Sequence, residues 1–212
     1  MDYILLIVVL LFSIIIHEVA HGSVAYIRGD ATAKLMGRLT LNPIYHIDMF
    51  GSIIFPAILL FIGSMVGSTF IFGWAKPVPV NMLNLKNPRQ DMILVSLAGV
   101  TANFLLAVIA GAIMFFIRNF LPDLSCMVAV YQIMKAFVGI NIILAIFNLI
   151  PIPPLDGSRV VLFLLPRDLA QKYAKIERYG IFIVLILMAT NVLQIIIGPI
   201  ATFLIRLLSG AI

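Results

Sequence analysis

Two imidazoles four residues apart, with a carboxylate beside the first, form the chemically richest cluster of this sequence: His17-Glu18-Val19-Ala20-His21-Gly22. On a helix, residues four apart share a face, so His17 and His21 present two nitrogen ligands one turn apart. Zinc prefers tetrahedral coordination, and a catalytic site supplies three protein ligands while leaving the fourth position to water. Glu18 then stands where it can take a proton from that water. The pattern H-E-x-x-H on a helix is a zinc-hydrolase signature that needs a helical setting and a third ligand. The bland alternative is a set of hydrogen bonds inside a helix bundle. Three adjacent ionisable groups in an apolar run are costly, however, and such groups are functional by default.

The third ligand has few candidates, because the chain holds only nine acidic residues and most lie in polar connections. Asp156 follows an apolar stretch within Pro151-Ile152-Pro153-Pro154-Leu155-Asp156-Gly157, a bend that can aim a carboxylate back towards a bundle interior. Its other reading is a helix N-cap ahead of Gly157-Ser158-Arg159. The remaining histidine, His46, lies beside Asp48 in a polar connection and reads as a structural hydrogen-bonder. A lone cysteine, Cys126, excludes an intrachain disulfide and a cysteine-rich zinc site.

The elements that must position these groups are membrane helices. The chain has 212 residues, 63% hydrophobic and 11% charged, with a mean hydropathy of +1.16, against about 45–50% apolar and about 25% charged in soluble domains. Apolar stretches at 3–27, 49–72, 92–117, 127–150 and 181–208 each exceed the roughly 20 residues a spanning helix requires. The expectation is an all-α polytopic helix bundle forming one domain over residues 1–212. The connections are too short for a separate folded domain. No basic region precedes the first stretch, so it reads as a retained helix rather than a cleaved signal. The net charge of +5 comes from basic residues scattered beside apolar stretches, which suits topology and anionic lipid headgroups rather than nucleic acid. At about 1.5 Å per residue, His21 lies about 10 Å and His17 about 16 Å before Arg28, below the membrane surface if the helix is unbroken.

In these residues the sequence resembles the site-2 proteases, which are intramembrane zinc metalloproteases. The likeness rests on the segment 17–22 and on Asn148-Leu-Ile-Pro151-Ile-Pro-Pro154-Leu-Asp156-Gly157. It extends to Asn42-Pro43-Ile-Tyr-His46-Ile-Asp48, Gly73-Trp74-Ala-Lys76-Pro77-Val-Pro79-Val-Asn81 and Ser96-Leu-Ala-Gly99-Val-Thr-Ala-Asn103. The resemblance implies that His17, His21 and Asp156 hold one Zn2+ per chain, that Glu18 is the catalytic carboxylate, and that Asn148 lies near the substrate or the reacting carbonyl. It also implies a minimal form without a PDZ domain, acting on a transmembrane protein substrate in the lipid bilayer. Met49 and Val100 stand where that family pattern leads one to expect proline. Spacing alone gives Asn148 a second reading, a helix–helix hydrogen bond, and leaves Asn103 and Asn141 as bundle contacts.

One ion held by residues 17, 21 and 156 also constrains topology. An even number of crossings must separate Ile27 from Ile150, yet three apolar stretches lie between or end there. The stretch 49–72, with Pro56, Gly63 and Gly67, is the one expected to turn back as a re-entrant hairpin, allowed at depth if protein or a wet cavity covers it. Eleven of the fourteen basic residues then share one side, which the charge rule makes cytoplasmic in a cell membrane. The alternation in 34–41 predicts a short membrane-associated strand able to pair with an unwound substrate. Stretch 181–208, interrupted at Gly198-Pro199, reads as one kinked crossing or a hairpin. Two other functions compete: a metal transporter, which would string ligands along a pore, and a non-catalytic scaffold. The concentration of histidines in one turn disfavours the first, and the intact His17, Glu18, His21 and Asp156 set disfavours the second.

Overall fold

The computed structural model describes residues 3–66, 73–121 and 125–210. All the regular structure among them is helical: α1 (Tyr3–Ile27), α2 (Thr32–Leu35), α3 (Phe55–Val66), α4 (Pro88–Phe120), α5 (Ser125–Leu149), α6 (Asp156–Leu164), α7 (Arg167–Ala174), α8 (Glu177–Ala189) and α9 (Val192–Ser209). Among the described residues, four helices are long and apolar enough to cross a membrane: α1, α4, most of α5, and α9. Their outer faces expose Ile4, Ile7, Val8, Leu105, Ile109, Phe115, Phe116, Ile196 and Phe203. Such a surface requires lipid rather than water around it. The chain is an integral membrane protein.

α1, α4 and α5 form the inner bundle. α4 runs antiparallel to α1, since His17 faces Asn103 while His21 faces Val95. α5 runs parallel to α1, with Asn141 Nδ2 donating to Ser13 Oγ at 2.8 Å and Phe12 meeting Phe137 edge-on. Lipid offers apolar side chains no hydrophobic reason to leave it, so close packing and interhelical hydrogen bonds hold such a bundle. Asn141 is indeed a bundle contact. The core joins Ala107, Ala110 and Met114 of α4 to Val138 and Ile142 of α5 and to Leu193, Ile197 and Ala201 of α9. Small residues bring the backbones together; a Cβ on Gly111 would stand 2.8 Å from the Leu208 carbonyl oxygen. α4 runs unbroken through Val100.

The stretch 49–72 enters and leaves at one place. Trp74 N–H donates to the Gly51 carbonyl at 3.1 Å, and Ser52 Oγ donates to the Trp74 carbonyl at 2.8 Å. Gly51 lies directly under the Trp74 indole, where any Cβ would collide with the ring. A segment whose ends are hydrogen-bonded to each other does not cross, and α3, 12 residues or about 18 Å long, is too short to span a core of roughly 30 Å. Residues 67–72, at the expected apex, lie outside the described residues.

Two expectations are corrected. Residues 34–41 form no strand: Thr32–Leu35 is a helical turn, and Gly37, at φ +65°, reverses the chain behind it. Residues 34–37 are all exposed and Arg38 is buried, so the partial alternation of the sequence does not mark a buried face. The break in 181–208 falls at Thr190-Asn191, not at Gly198-Pro199. Asn191 adopts φ +58°, a conformation its short polar side chain tolerates, and Thr190 Oγ1 folds back on the Ile186 carbonyl. Pro199 sits inside α9. Gly180 abuts Pro153 beside the Asp156 bend, whereas Gly210 accepts from Arg118 at the other end of the bundle. Together α8 and α9 therefore make one bent passage.

Replacing Gly111 by Val should force α9 off α4, at a cost of about 1–3 kcal/mol for overpacking. The denaturation midpoint in detergent micelles measures it, and an unchanged midpoint would contradict the contact.

Candidate metal centre

α1 carries His17 and His21 on the face it turns towards α4, and both side chains are buried. The proline cluster at 151–154 ends α5 and α6 restarts at Asp156, the first residue of that helix. Asp156 makes no cap bond; Leu155 occupies the N-cap position, and the carboxylate turns towards α1. Its Oδ2 lies 3.1 Å from Nε2 of His17 and 3.1 Å from Nε2 of His21, and the two Nε2 atoms are 3.0 Å apart. Among the described residues this is the one group of three or more such side chains able to share a metal ion.

The outward nitrogens decide what the inward ones can do. His21 Nδ1 lies 2.6 Å from the Val95 carbonyl, which can only accept, so the proton sits on Nδ1 and Nε2 keeps its lone pair. His17 Nδ1 faces Oδ1 of Asn103 at 2.9 Å in the same way. Two lone pairs and a buried carboxylate oxygen without a hydrogen-bond partner thus point at one spot. Such a convergence is electrostatically unfavourable unless a cation fills it. Ligand atoms at about 2.0–2.1 Å from a tetrahedral zinc stand about 3.3 Å apart, close to the triangle found here. The donor set and its supporting shell fit zinc.

α4 forms the wall behind the imidazoles. Val95, Gly99 and Asn103, spaced by four, line one face: two orient the rings and the middle one makes room. A Cβ on Gly99 would stand 2.5 Å from both His17 Cε1 and His21 Nε2. Asn103 is therefore more than the bundle contact read from spacing, since its partner is a ring of the cluster itself. A glycine and an asparagine four apart opposite an intramembrane histidine pair were the signal available for it. Val95 acts through its backbone and left no such signal.

Glu18 is half-buried, and its Oε2 accepts the Val78 N–H at 2.8 Å. Asn148 closes α5 and donates through Nδ2 to the Leu144 carbonyl of its own helix at 3.0 Å, so its bond is not the helix–helix one. His46 is buried away from the cluster and donates through Nε2 to the Thr40 carbonyl at 2.8 Å, a structural role. The polar connections gather at the same end of the bundle: Arg28 faces Asp91 at 3.6 Å, and Arg89 donates to the carbonyls of Phe163, Leu164 and Leu165. Arg28 and Arg89 thus lie on the side that holds the cluster, whereas Arg118 lies at the opposite end.

Gly99→Ala should lower metal affinity by well over tenfold while leaving helix content unchanged, because the added methyl displaces both rings. Asn103→Ala should cost about 10–100-fold, the usual effect of removing a partner that orients a ligand. Metal titration of the purified protein checks both, and wild-type affinity in either would refute the assignment of that wall residue.

Comparison with known proteins agrees with this chemistry. Residues 123–190 match peptidase family M50. The chain is 37% identical over 196 residues to a protein of Bacillus subtilis (strain 168) named "Putative zinc metalloprotease YwhC", covering 92% of this chain and 84% of that one. It is 30% identical over 193 residues to "Putative zinc metalloprotease Rip2" of Mycolicibacterium smegmatis (strain ATCC 700084 / mc(2)155), covering 91% and 69%. No solved structure matches it. A membrane-embedded cluster of two imidazoles and a carboxylate, with relatives of this kind along nearly its whole length, makes the chain a member of peptidase family M50, the site-2 protease family of membrane zinc metalloproteases.

Proposed function

We propose that the protein is an intramembrane endopeptidase that hydrolyses a peptide bond in or near a transmembrane helix of a membrane-protein substrate. The observation that carries this reading is the meeting of His17 Nε2, His21 Nε2 and Asp156 Oδ2 inside the bundle, one residue from a carboxylate. His17 lies 14 residues from the start of α1 and ten from its end, about 21 and 15 Å along the axis, so the centre is within the helix bundle rather than on its rim. His17, His21 and Asp156 would hold one Zn2+ per chain, which when bound polarises the scissile carbonyl and acidifies a water.

The chain's own residues do the rest. Glu18, adjacent to His17, receives the proton that the attacking water gives up and passes it to the leaving amine as the C–N bond breaks. No covalent intermediate with a side chain is required. Asn148, whose only side-chain bond among the described residues is to its own helix, is free to swing its amide towards the substrate backbone or the developing oxyanion. A transmembrane substrate must open some of its helical hydrogen bonds before a peptide carbonyl can be reached, so the bond is cut in a locally unwound stretch.

Charge supports an assignment of the side of the membrane. The connections that carry Arg28, Lys34, Arg38, Lys76, Lys86, Arg89, Arg159, Arg167, Lys172, Lys175 and Arg178 are at the cluster's end of the bundle, and excess Lys and Arg marks the cytoplasmic face. The reading is therefore a cell-membrane protease with its centre towards the cytoplasm.

The test pairs bound zinc with cleavage of a reporter transmembrane peptide in lipid vesicles. Glu18→Gln should keep about one zinc per chain and lose cleavage by at least a thousandfold, whereas Asp156→Ala should lose both. Cleavage retained in Glu18→Gln would remove Glu18 from the mechanism, and zinc retained in full by Asp156→Ala would remove Asp156 from the ligand set. Asn148→Ala should retain zinc and lower kcat; an unchanged kcat would return Asn148 to a structural role.

A further inference from the structure

We infer that the extended segment Lys76–Asn81 is a fixed strut whose Val78 amide holds Glu18 in its working position, with Arg38 and Asp30 as positioning residues that anchor the strut at its two ends. The inference rests on the reading of Glu18 as the proton carrier and extends it to residues in a connection far along the chain.

The local sequence makes the strut. Pro77 and Pro79 fix their own φ near −65° and push the residues before them, Lys76 and Val78, into extended backbone. Both prolines lack an N–H, so between residues 77 and 79 the Val78 amide is the sole donor on the backbone. That donor meets Oε2 of Glu18 at 2.8 Å. The contact needs the strut to lie close against α1, and Gly22, on the same helix face as Glu18, provides the notch. A Cβ there would stand 2.8 Å from Val78 Cγ1 and 2.5 Å from Leu39 Cδ2. The last residue of the 17–22 segment is thus small because the strut crosses it.

Both ends are tied by buried charged groups. At one end Arg38, buried although it is an arginine, donates through Nη2 to the Lys76 carbonyl at 2.8 Å and to the Pro77 carbonyl at 3.4 Å. Lys76 N–H also donates to the His46 carbonyl at 2.9 Å. At the other end the fully buried Asp30 accepts the Asn81 N–H at 2.6 Å, the Asn84 side-chain amide at 2.9 Å and the Thr32 N–H at 3.0 Å. Burial alone would raise the Asp30 carboxyl; the bonds from Thr32, Asn84 and Asn81 outweigh it and hold the group below the ordinary carboxylate range. It stays charged, and the anchor stays intact, throughout the neutral range.

A carboxylate on a flexible side chain has several rotamers, and a proton carrier works best when one of them is held ready. A charge-assisted bond from a rigid backbone amide selects that rotamer before substrate arrives. The expected loss on deleting such a bond is ten- to hundredfold in kcat.

The test removes the donor and leaves the rest. Val78→Pro keeps the extended backbone but has no N–H; Val80→Pro makes the same change two residues on, and Val78→Ala shortens the side chain while keeping the amide. In the zinc-loaded protein in vesicles, Val78→Pro should lower kcat ten- to hundredfold with KM and zinc content held, and the two comparison variants should lose far less. Independently of activity, the residue-78 amide should exchange its hydrogen slowly in the unmodified chain and at least tenfold faster in Glu18→Ala. If Val78→Pro disturbs helix content or zinc, an amide-to-ester replacement at position 78 removes the same donor with the side chain kept and decides the matter. An unaltered kcat in the donor-deleted protein, equal losses in Val78→Ala, or an exchange rate indifferent to Glu18→Ala would each overturn the strut. Retained cleavage in Glu18→Gln is a different result and would overturn the proton-carrier reading itself.

Discussion

Three atoms with nothing but negative charge or lone pairs to offer are held about 3 Å apart inside a membrane bundle, and the rest of the molecule is arranged around that imposition. Two Nε2 atoms and Oδ2 of Asp156 would repel one another and demand solvent if no cation joined them. Bringing them together requires α1 and the end of α5 to finish on the same side, which in turn requires the stretch after residue 49 to come back to Gly51 and Trp74 instead of crossing. The proline cluster that stops α5 then restarts the chain with Asp156 facing inward. Topology here is a consequence of coordination.

The same demand explains α4. Its first half is a wall that accepts from the two Nδ1 atoms, through Val95 and Asn103, and withdraws between them at Gly99. Its second half uses Ala107, Ala110 and Gly111 to bring α5 and α9 close, where lipid provides no hydrophobic drive and contact between backbones must serve instead. Polar groups inside the bundle are few and placed against one another: Ser13 with Asn141, His17 with Asn103. The polar connections, by contrast, are tied by backbone carbonyls to arginines and by Asp30 to neighbouring amides, which gives loops at the edge of a membrane a defined geometry.

How much was readable from residues alone depended on whether the signal was local. The pair His17 and His21 with Glu18 is a one-turn pattern, and the helix that carries it is obvious from its apolar flanks. Asp156 was readable because acidic residues are scarce and this one ends an apolar run. The re-entrant stretch followed from parity, an argument about depth that needs no side-chain detail. The alternation over 34–41 is only partial and does not correspond to a buried face, while Gly37 at positive φ reverses the chain within it. The bend placed at Gly198-Pro199 failed because a proline inside a membrane helix can be accommodated by its neighbours, while Asn191 in the left-handed region makes a sharper turn.

Composition and spacing alone determined that this chain lives in a membrane, that its ionisable residues cluster near the end of the first helix, and that Asp156 is one of few acidic residues available to join them. Periodic and compositional patterns are properties of short windows, so they survive without coordinates. What the tertiary structure decided were the contacts that join windows with no common pattern: the Val95 carbonyl and Asn103 behind the imidazoles, the empty space at Gly99, the base of the re-entrant stretch at Gly51 and Trp74, and the Val78 amide on Glu18. Most of these act through backbone atoms, which every residue possesses. Only the path of the folded chain determines which of them arrives at the metal centre.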